Sequence, residues 1–238
     1  MRVFAGPNGS GKSTIKSLVS PSLLGVYINP DEIEGEIRAS GCLCLENYLV
    51  ETTHEDVLSF VTGSTLGTRA FVDKPSECLS FSQGFLSVRR DALNSHVCSI
   101  IADFLRQKLI QQRISFTFET VMSSPDKVLL LEAAQRLGYR TYLYYVATED
   151  PVINISRVRT RVRLGGHDVP EDKIVSRYGR SLRLLKEAIR HSNRAYLFDN
   201  SGHEHVWLAE ITEGDTLELK TNHVPKWFID AVLNKGVR

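Results

Sequence analysis

Residues 6–13 have the sequence Gly-Pro-Asn-Gly-Ser-Gly-Lys-Ser and fit the pattern G-x-x-x-x-G-K-[ST] in full. The apolar run Val3 to Ala5 precedes them and predicts a first strand, and residues 12–19 follow with the pattern of a helix. This succession of strand, loop and helix is the context that the motif requires. Because Gly makes up about 7% of residues, a chance match in a chain of this length is expected about once in a hundred sequences. The stretch therefore predicts a cradle for a polyphosphate.

The glycines and the helix that follows them suit this segment to binding phosphate. Glycines let successive backbone N–H groups turn toward one point, and the following helix adds a partial positive charge at its N-terminus. Lys12 is expected to reach the β- and γ-phosphates of a nucleotide, and the Ser13 hydroxyl to bind Mg²⁺. The predicted nucleotide-binding residues are Gly6, Pro7, Asn8, Gly9, Ser10, Gly11, Lys12, Ser13 and Thr14. The motif leaves the phosphate acceptor open.

Short apolar runs alternate with helical patterns along the rest of the chain. This alternation is typical of an α/β protein with a mostly parallel sheet flanked by helices. Further strands are expected at 25–28, 115–119, 141–146 and 195–198, and further helices at 93–112, 125–137, from Pro151 onward and at 171–191. A hairpin at 206–211 and 216–219 and a short helix at 225–233 end the chain.

Length and composition indicate one soluble globular unit. The chain has 238 residues, of which 42% are hydrophobic and 24% charged. We predict a single domain over 1–238, with an insertion at 41–92, where turn residues interrupt weak patterns, and a C-terminal extension at 203–238. Unstructured loops as long as 41–92 are uncommon in compact domains, so an insertion is the better interpretation.

Charge and cysteine usage exclude several classes. Lys and Arg number 29 against 28 Asp and Glu, a formal net charge of +1, so no global field favours nucleic acid or an anionic membrane. No apolar run approaches the roughly 18 residues of a membrane span, and the first residues do not resemble a signal peptide. The cysteines, Cys42, Cys44, Cys78 and Cys98, match neither redox nor zinc spacing. We expect reduced thiols, a cytoplasmic location, and neither a membrane nor a nucleic-acid partner.

Two carboxylates are candidates for the acceptor side. Phosphate transfer to a hydroxyl needs a base beside the γ-phosphate, and Asp31, at the end of the second predicted strand, is that candidate. The alternative is that Asp31 caps the helix from Glu32 to Arg38. Glu119 ends a later strand, at the edge where open α/β sheets bind ligands, and is expected to contact the acceptor or the Mg²⁺ shell. Its alternative is a capping carboxylate, and Thr120 beside it is a weaker candidate.

Four arginines alternate over seven residues before a Gly-Gly step; they are Arg157, Arg159, Arg161 and Arg163. Such crowding predicts a nearby anion, and the glycines at 165–166 provide a hinge for a lid. An arginine placed on a transferring phosphate is worth about 10³–10⁵ in rate. Arg161 and Arg163, nearest the glycines, are the predicted catalytic arginines. A solvated basic face and a nucleic-acid patch are the alternatives.

Five segments together resemble the zeta-toxin-like family of P-loop kinases, and in particular its small ATPase-like group; they are 6–14, 29–33, 116–120, 157–170 and 196–201. The resemblance covers residues 1–38 and about 93–202. It implies ATP-dependent phosphorylation of an amino-sugar hydroxyl, as on UDP-N-acetylglucosamine, and an antitoxin protein as partner. It also implies roles for single residues: Lys12 and Ser13 hold phosphate and Mg²⁺, Asp31 is the base, Glu119 and Thr120 contact the acceptor, and Arg161 or Arg163 stabilises transferred charge.

Three functions remain open from the sequence. The first is a Mg²⁺- and ATP-dependent kinase that acts on a hydroxyl of a small metabolite such as a nucleotide sugar. The second is a nucleic-acid end kinase, which the arginine cluster favours and the near-neutral charge disfavours. The third is a nucleotide-switched module that binds a partner protein and transfers no phosphate.

Overall fold

The computed structural model describes residues 1–64, 70–71 and 73–234. The chain divides into two compact units, Met1–Leu23 with Phe118–Arg238, and Leu24–Thr117. The predicted insertion at 41–92 belongs to the second unit, except that its residues 65–69 and 72 lie outside the described residues. The last four residues of the predicted C-terminal extension, 235–238, also lie outside them. The single-domain assignment stays a prediction.

The strands of the described residues are β1 (Arg2–Ala5), β2 (Val26–Ile28), β3 (Cys42–Cys44), β4 (Leu79–Ser82), β5 (Phe85–Val88), β6 (Phe116–Thr120), β7 (Tyr142–Ala147), β8 (Arg194–Asp199), β9 (Val206–Thr212) and β10 (Thr216–Leu219). The helices are α1 (Lys12–Lys16), α2 (Pro21–Leu24), α3 (Pro30–Ser40), α4 (His54–Gly63), α5 (Pro75–Cys78), α6 (Ser95–Gln111), α7 (Asp126–Arg136), α8 (Pro151–Arg163), α9 (Glu171–Arg190) and α10 (Lys226–Phe228). A 3₁₀ turn covers Leu45–Tyr48, and one π-helical turn covers Ile229–Leu233.

The first unit is built on a sheet with the strand order β10-β9-β8-β7-β1-β6. Strands β1, β7 and β8 are parallel, and β9 and β10 add an antiparallel hairpin at one edge. Because parallel strands end at the same edge, the loops after β1, β7 and β8 lie side by side. The predicted α/β class, with a mainly parallel sheet flanked by helices, is confirmed, and so is the C-terminal hairpin.

Helix α9 buries an apolar stripe within the first unit. Ile174, Leu185 and Ala188 of the helix are fully buried, at the spacing expected of an amphipathic helix. The stripe also contains Ser181, whose hydroxyl lies 3.0 Å from the buried hydroxyl of Tyr145 and donates to the carbonyl of Val121 at 2.7 Å. This chain of hydrogen bonds satisfies two buried polar side chains and fixes the loop after β6.

The second unit combines α3, α4 and α6 with an antiparallel sheet of order β3-β5-β4. The sequence pattern at 41–92 predicted an insertion without defining its elements, since strands of three or four residues carry little periodicity. Helix α4 starts with a capping box in which Thr53 and Asp56 satisfy each other's backbone N–H groups. Asp56 also accepts from Lys108 of α6 at 2.8 Å, which joins the two helices.

Asp31 does not cap helix α3, which was the alternative to its role as a base. The cap is Asn29, whose side-chain oxygen accepts from the Asp31 N–H at 3.0 Å, and Pro30 occupies the first helical position. Asp31 therefore lies inside the first turn, and the capping interpretation of its side chain is wrong. Proline supplies a preset φ at the first position of a helix, so the helix starts at Pro30 and the cap lies two residues earlier than expected.

None of the helices in the described part of the chain is both long and apolar enough to cross a membrane.

The four cysteines are free thiols of two kinds. Cys78 and Cys98 are buried, whereas Cys42 and Cys44 on β3 are half-buried. Burial raises the pKa of the Cys98 thiol to about 12 and also raises the pKa of Cys78. A buried thiol reacts slowly because the thiolate is the nucleophile.

We expect Ellman's reagent at pH 8 to modify Cys42 and Cys44 rapidly, and Cys78 and Cys98 only after guanidinium chloride is added. With a pKa of about 12, the Cys98 thiol is only about 0.01% thiolate at this pH. The variants Cys42→Ser and Cys44→Ser identify the fast thiols, because each removes one equivalent. Rapid reaction of all four thiols in native buffer would contradict the burial described.

Candidate functional site

The loop between β1 and α1 depends on three glycines. Any other residue at these positions would have to push neighbouring atoms aside. Gly6, Gly9 and Gly11 have φ values of +142°, +73° and +95°. A Cβ atom at Gly6 would lie 2.0 Å from the carbonyl oxygen of Val146, and one at Gly9 would lie 2.6 Å from that of Asn154. The close approach brings the loop against the end of β7 and the start of α8.

The same loop presents backbone donors. The N–H of Gly6 donates to the carbonyl of Thr120 at 3.2 Å, which joins the loop to the end of β6. Within the described ranges, the N–H groups of Asn8, Gly9 and Gly11 donate to no protein acceptor. Backbone donors gathered in this way bind anions, and phosphate oxygens are suitable acceptors for them.

Lys12 lies over the loop that it follows. Its ammonium group donates to the carbonyls of Gly6 at 2.9 Å and Pro7 at 3.2 Å. The next two residues, Ser13 and Thr14, are exposed on the first turn of α1. The arrangement puts a cation and two hydroxyls beside the backbone donors.

Two asparagine amides hold the cradle from outside. Asn154, on α8, donates to the carbonyl of Asn8 at 2.6 Å and accepts from the Thr148 hydroxyl. Asn200, directly after β8, donates to the carbonyl of Ser10 at 2.8 Å. Both asparagines are buried. Sequence reasoning missed Asn154, because an amide gives no signal of its carbonyl partner. For 199–202 it weighed a contact to adenine against a simple turn and favoured the turn. The place of Asn200 directly after an apolar strand was the one available signal.

Two oxygen atoms of the cradle are buried without a protein partner. They are the hydroxyl oxygen of Ser10 and the side-chain oxygen of Asn8, and neither has a hydrogen-bond partner among the described residues. Unpartnered buried polar atoms are costly in a folded protein. The Ser10 hydroxyl can donate to a phosphate oxygen, so its position beside unused N–H groups fits a polyphosphate, whereas the Asn8 oxygen is an acceptor and adds no such support.

Glu119 and Thr120 lie at the end of β6, beside the start of the cradle. The Glu119 side chain is 11% exposed, and its carboxylate lies 3.8 Å from the ammonium group of Lys16 on α1. The Thr120 hydroxyl accepts from the N–H of Met122 at 2.9 Å, which supports the left-handed φ of +52° at Met122. The structure thus brings both predicted acceptor residues to the loop, and it gives the Thr120 hydroxyl a role in the turn after β6.

Carboxylate and hydroxyl oxygens are the ligands that Mg²⁺ prefers. Ser13 and Glu119 supply such oxygens in this unit, whereas the described residues form no cluster of three or more His, Cys, Asp or Glu side chains that could hold a metal. The donor set therefore fits an ion held partly by the phosphates of a nucleotide, as Mg²⁺ commonly is.

The arginines of α8 have different partners. Arg157 donates to the carbonyls of Asn200 at 2.6 Å and Gly202 at 3.1 Å, and Arg159 is paired with Glu171. Arg161 donates to the carbonyl of His167 at 2.7 Å, within the Gly-Gly turn that ends the helix. Arg163 is exposed at the last position of α8. The two arginines predicted to be catalytic therefore lie beside the glycines at 165–166, and Arg157 supports the loop after β8.

Two arginines of helix α9, Arg177 and Arg180, lie close together in this unit. Arg177 is half-buried, and burial together with the neighbouring charge of Arg180 lowers the pKa of its guanidinium. Arg180 donates to the carbonyl of Ser123, in the loop after β6, at 3.1 Å. Two close guanidinium groups repel each other, and a bound anion would offset this repulsion. No sequence pattern selected Arg177, since only the packing of α9 shows its partial burial.

Asp31, the predicted base, belongs to the second unit. It lies in the first turn of α3, after the Asn29 cap, and its helix packs against α6.

The chain matches known proteins over part of its length. The zeta-toxin family model matches residues 90–211, about half of the chain. An uncharacterised protein of Haemophilus influenzae is 32% identical over 69 residues, which are 29% of this chain and 49% of that protein. The chain thus spans about half the length of this curated relative.

Solved structures share the fold at low identity. A chain in the crystal structure of the AvrRxo1-ORF1:AvrRxo1-ORF2 complex with sulphate ions has a TM-score of 0.55 and 14% identity, over 92% of this chain and 60% of that chain. The same complex with ATP gives a TM-score of 0.53 and 14% identity, over the same shares. Likeness at this identity shows the fold, a P-loop kinase-like α/β architecture.

We expect Gly6→Ala to lower the free energy of unfolding by more than about 4 kcal/mol, the size of a severe disruption. The new methyl group would meet the Val146 carbonyl, which belongs to the sheet and cannot move aside. The matched control is Gly41→Ala, because Gly41 also has a positive φ, of +82°, but nothing within 4 Å of its Cβ position. The control should lose only about 1–2 kcal/mol from backbone strain. Urea unfolding followed by circular dichroism measures both, and equal losses would show that the close contact has no energetic role.

Proposed function

Because the chain belongs to the zeta-toxin family, we propose that it is an ATP-dependent kinase that transfers the γ-phosphate to a hydroxyl of a small metabolite. The observation that carries the proposal is the cradle at 6–13, with its unused N–H donors, the unpartnered buried hydroxyl of Ser10 and Lys12 lying over it. A fold relative solved with ATP supports the choice of nucleotide. We also propose that the protein is a toxin, that an antitoxin protein binds it, and that it acts in the cytoplasm.

The proposed roles follow the chemistry of each side chain. Lys12 and the N–H groups of the cradle bind the β- and γ-phosphates, and Ser13 supplies an oxygen for Mg²⁺. When bound, Mg²⁺ would neutralise phosphate charge and orient the phosphate oxygens. Arg161 or Arg163 would stabilise the transferred charge after closing from the Gly-Gly hinge, and Arg177 provides a further cation in the same unit.

The proposed acceptor is a nucleotide sugar, with UDP-N-acetylglucosamine as first choice because the family resemblance implies it. Glu119 and Thr120 would bind its hydroxyls, and the Asp31 carboxylate would take the proton of the attacking hydroxyl. The hydroxyl oxygen then forms a bond to the γ-phosphorus while the bond to the β-phosphate oxygen breaks and ADP leaves. Partial burial of Glu119 suits this role, because a carboxylate shielded from water binds a hydroxyl more strongly.

The nucleic-acid end kinase is less favoured on the contacts of the arginine cluster. Arg157 and Arg161 donate to backbone carbonyls and Arg159 is paired with Glu171, so three of the four arginines are engaged within the protein. The net charge of +1 gives no general attraction to a phosphate backbone.

We expect the protein to transfer label from γ-³²P-ATP with Mg²⁺ to one member of a metabolite panel that includes UDP-N-acetylglucosamine. Lys12→Ala should lower transfer by about 10²–10³-fold, because it removes a donor to the developing charge. Lys173→Ala, an exposed lysine on α9, is the control and should transfer normally. Release of free phosphate at a rate that no metabolite changes would contradict the kinase and favour the nucleotide-switched module.

We expect Asp31→Asn to bind ATP as the natural protein does and to lose about 10²–10⁴-fold in transfer rate, the range for a general base. The control is Glu32→Gln, which removes the neighbouring carboxylate in the same helical turn and should keep the rate. Both variants are compared by ATP affinity and by single-turnover transfer to the acceptor found above. Retained transfer in Asp31→Asn would remove Asp31 from the mechanism.

A further inference from the structure

Trp227 is a buried side chain in the C-terminal segment, beyond the residues that match the family model. It is 4% exposed, and its ring lies 6.2 Å from the ring of Tyr145 in β7. Its indole N–H donates to the carboxylate of Asp199 at 2.7 Å, and this hydrogen bond is buried. A hydrogen bond to a charged group in a buried setting is among the stronger kinds.

The Asp199 carboxylate organises the turn after β8. It accepts from the N–H of Ser201 at 2.9 Å and from the Ser201 hydroxyl at 3.0 Å. The Ser201 hydroxyl in turn accepts from the N–H of Glu149, in the loop after β7, at 2.8 Å. With the bond from Trp227, three donors converge on one carboxylate, so the conformation of 199–202 depends on its charge and position.

This turn carries the amide that supports the cradle. The Asn200 side chain donates to the Ser10 carbonyl, and its atoms fill the space beside Gly11, where a Cβ would lie 2.1 Å from the amide nitrogen. Both backbone groups of Asn200 are hydrogen-bonded. Its N–H donates to the carbonyl of Ala147 at 2.8 Å, and its carbonyl accepts from the guanidinium of Arg157. A rotation of the turn would therefore move the group that fixes the middle of the cradle.

We infer that Trp227 is a positioning residue for the cradle, which acts through Asp199 on Asn200 and sets the affinity for a nucleoside triphosphate. The inference rests on the nucleotide-binding part of the proposed function and not on the phosphate transfer. By linkage, a bound nucleotide also stabilises the docked form of the segment around Trp227, because each favours the same arrangement of the turn. The C-terminal segment, which the family model does not include, thus becomes part of the nucleotide site.

The chain offers a matched control, because it contains only two tryptophans. Trp207 on β9 is 40% exposed, and its indole N–H donates to the carbonyl of Ala209, two residues away. Trp207→Phe and Trp227→Phe make the same chemical change, and only the second removes a donor from Asp199. Phenylalanine keeps an aromatic ring against Tyr145, so the apolar packing at 227 is largely retained.

The experiment measures the Kd of Mg²⁺-ATP, by titration calorimetry, for the full chain and both variants. We expect Trp227→Phe to raise the Kd by about tenfold, the effect of one lost charge-assisted hydrogen bond, and Trp207→Phe to leave it unchanged. In the Trp207→Phe protein all tryptophan emission comes from Trp227, and ATP should shift it. If Trp227→Phe does not fold, Asp199→Asn, which removes the charge and keeps the shape, carries the same expectation for the Kd.

The outcomes separate the two proposals. An unchanged Kd in Trp227→Phe, beside a natural protein that binds ATP, would overturn the positioning role alone. A tenfold change in Kd in a protein that transfers phosphate to no acceptor would support the positioning role and overturn the kinase. A natural protein that binds neither ATP nor inorganic triphosphate would overturn both.

Discussion

The close approach of Gly6, Gly9 and Gly11 to their neighbours is the constraint on which the site depends. At each position a side chain would meet the Val146 carbonyl, the Asn154 carbonyl or the Asn200 amide. The absence of a Cβ lets β7, α8 and the turn after β8 touch one loop, and these contacts fix the course of the loop. These contacts require β1, β7 and β8 to be parallel, because parallel strands bring their C-terminal loops to one edge of the sheet.

Polar contacts around the cradle are arranged to hold carbonyls, which leaves the N–H groups for a ligand. Lys12, Asn154 and Asn200 all donate to carbonyl oxygens of the loop. Each of these bonds satisfies an acceptor that would otherwise compete for the loop's own donors. The cradle is thus preorganised for an anion before one binds, which lowers the free-energy cost of ordering on binding.

The family to which the chain belongs is shown by residues 90–211, whereas the cradle at 6–13 and Trp227 lie outside that match. The two outer segments nevertheless belong to the same compact unit as most of the match. The C-terminal segment reaches the cradle through the turn at 199–202, so the arrangement of the proposed nucleotide site depends on both outer segments of the unit. The second unit brings its own sheet and the helix that carries Asp31.

Local patterns by themselves determined the α/β class, most of the helices and strands, and the cradle, because each depends on neighbours in sequence. The glycine spacing of 6–13 and the apolar runs before it are such patterns, and Glu119 was selected as a candidate site residue from its place at the end of a strand. The short strands at 42–44 and 79–88 and the partners of the arginines were decided only by tertiary structure. Asn154, Asn200 and Trp227 act on the cradle from positions far away in sequence, and their amide or indole groups have no periodicity. A hydrogen bond between distant residues leaves no local pattern, so only the folded chain shows which carbonyl or carboxylate each group holds.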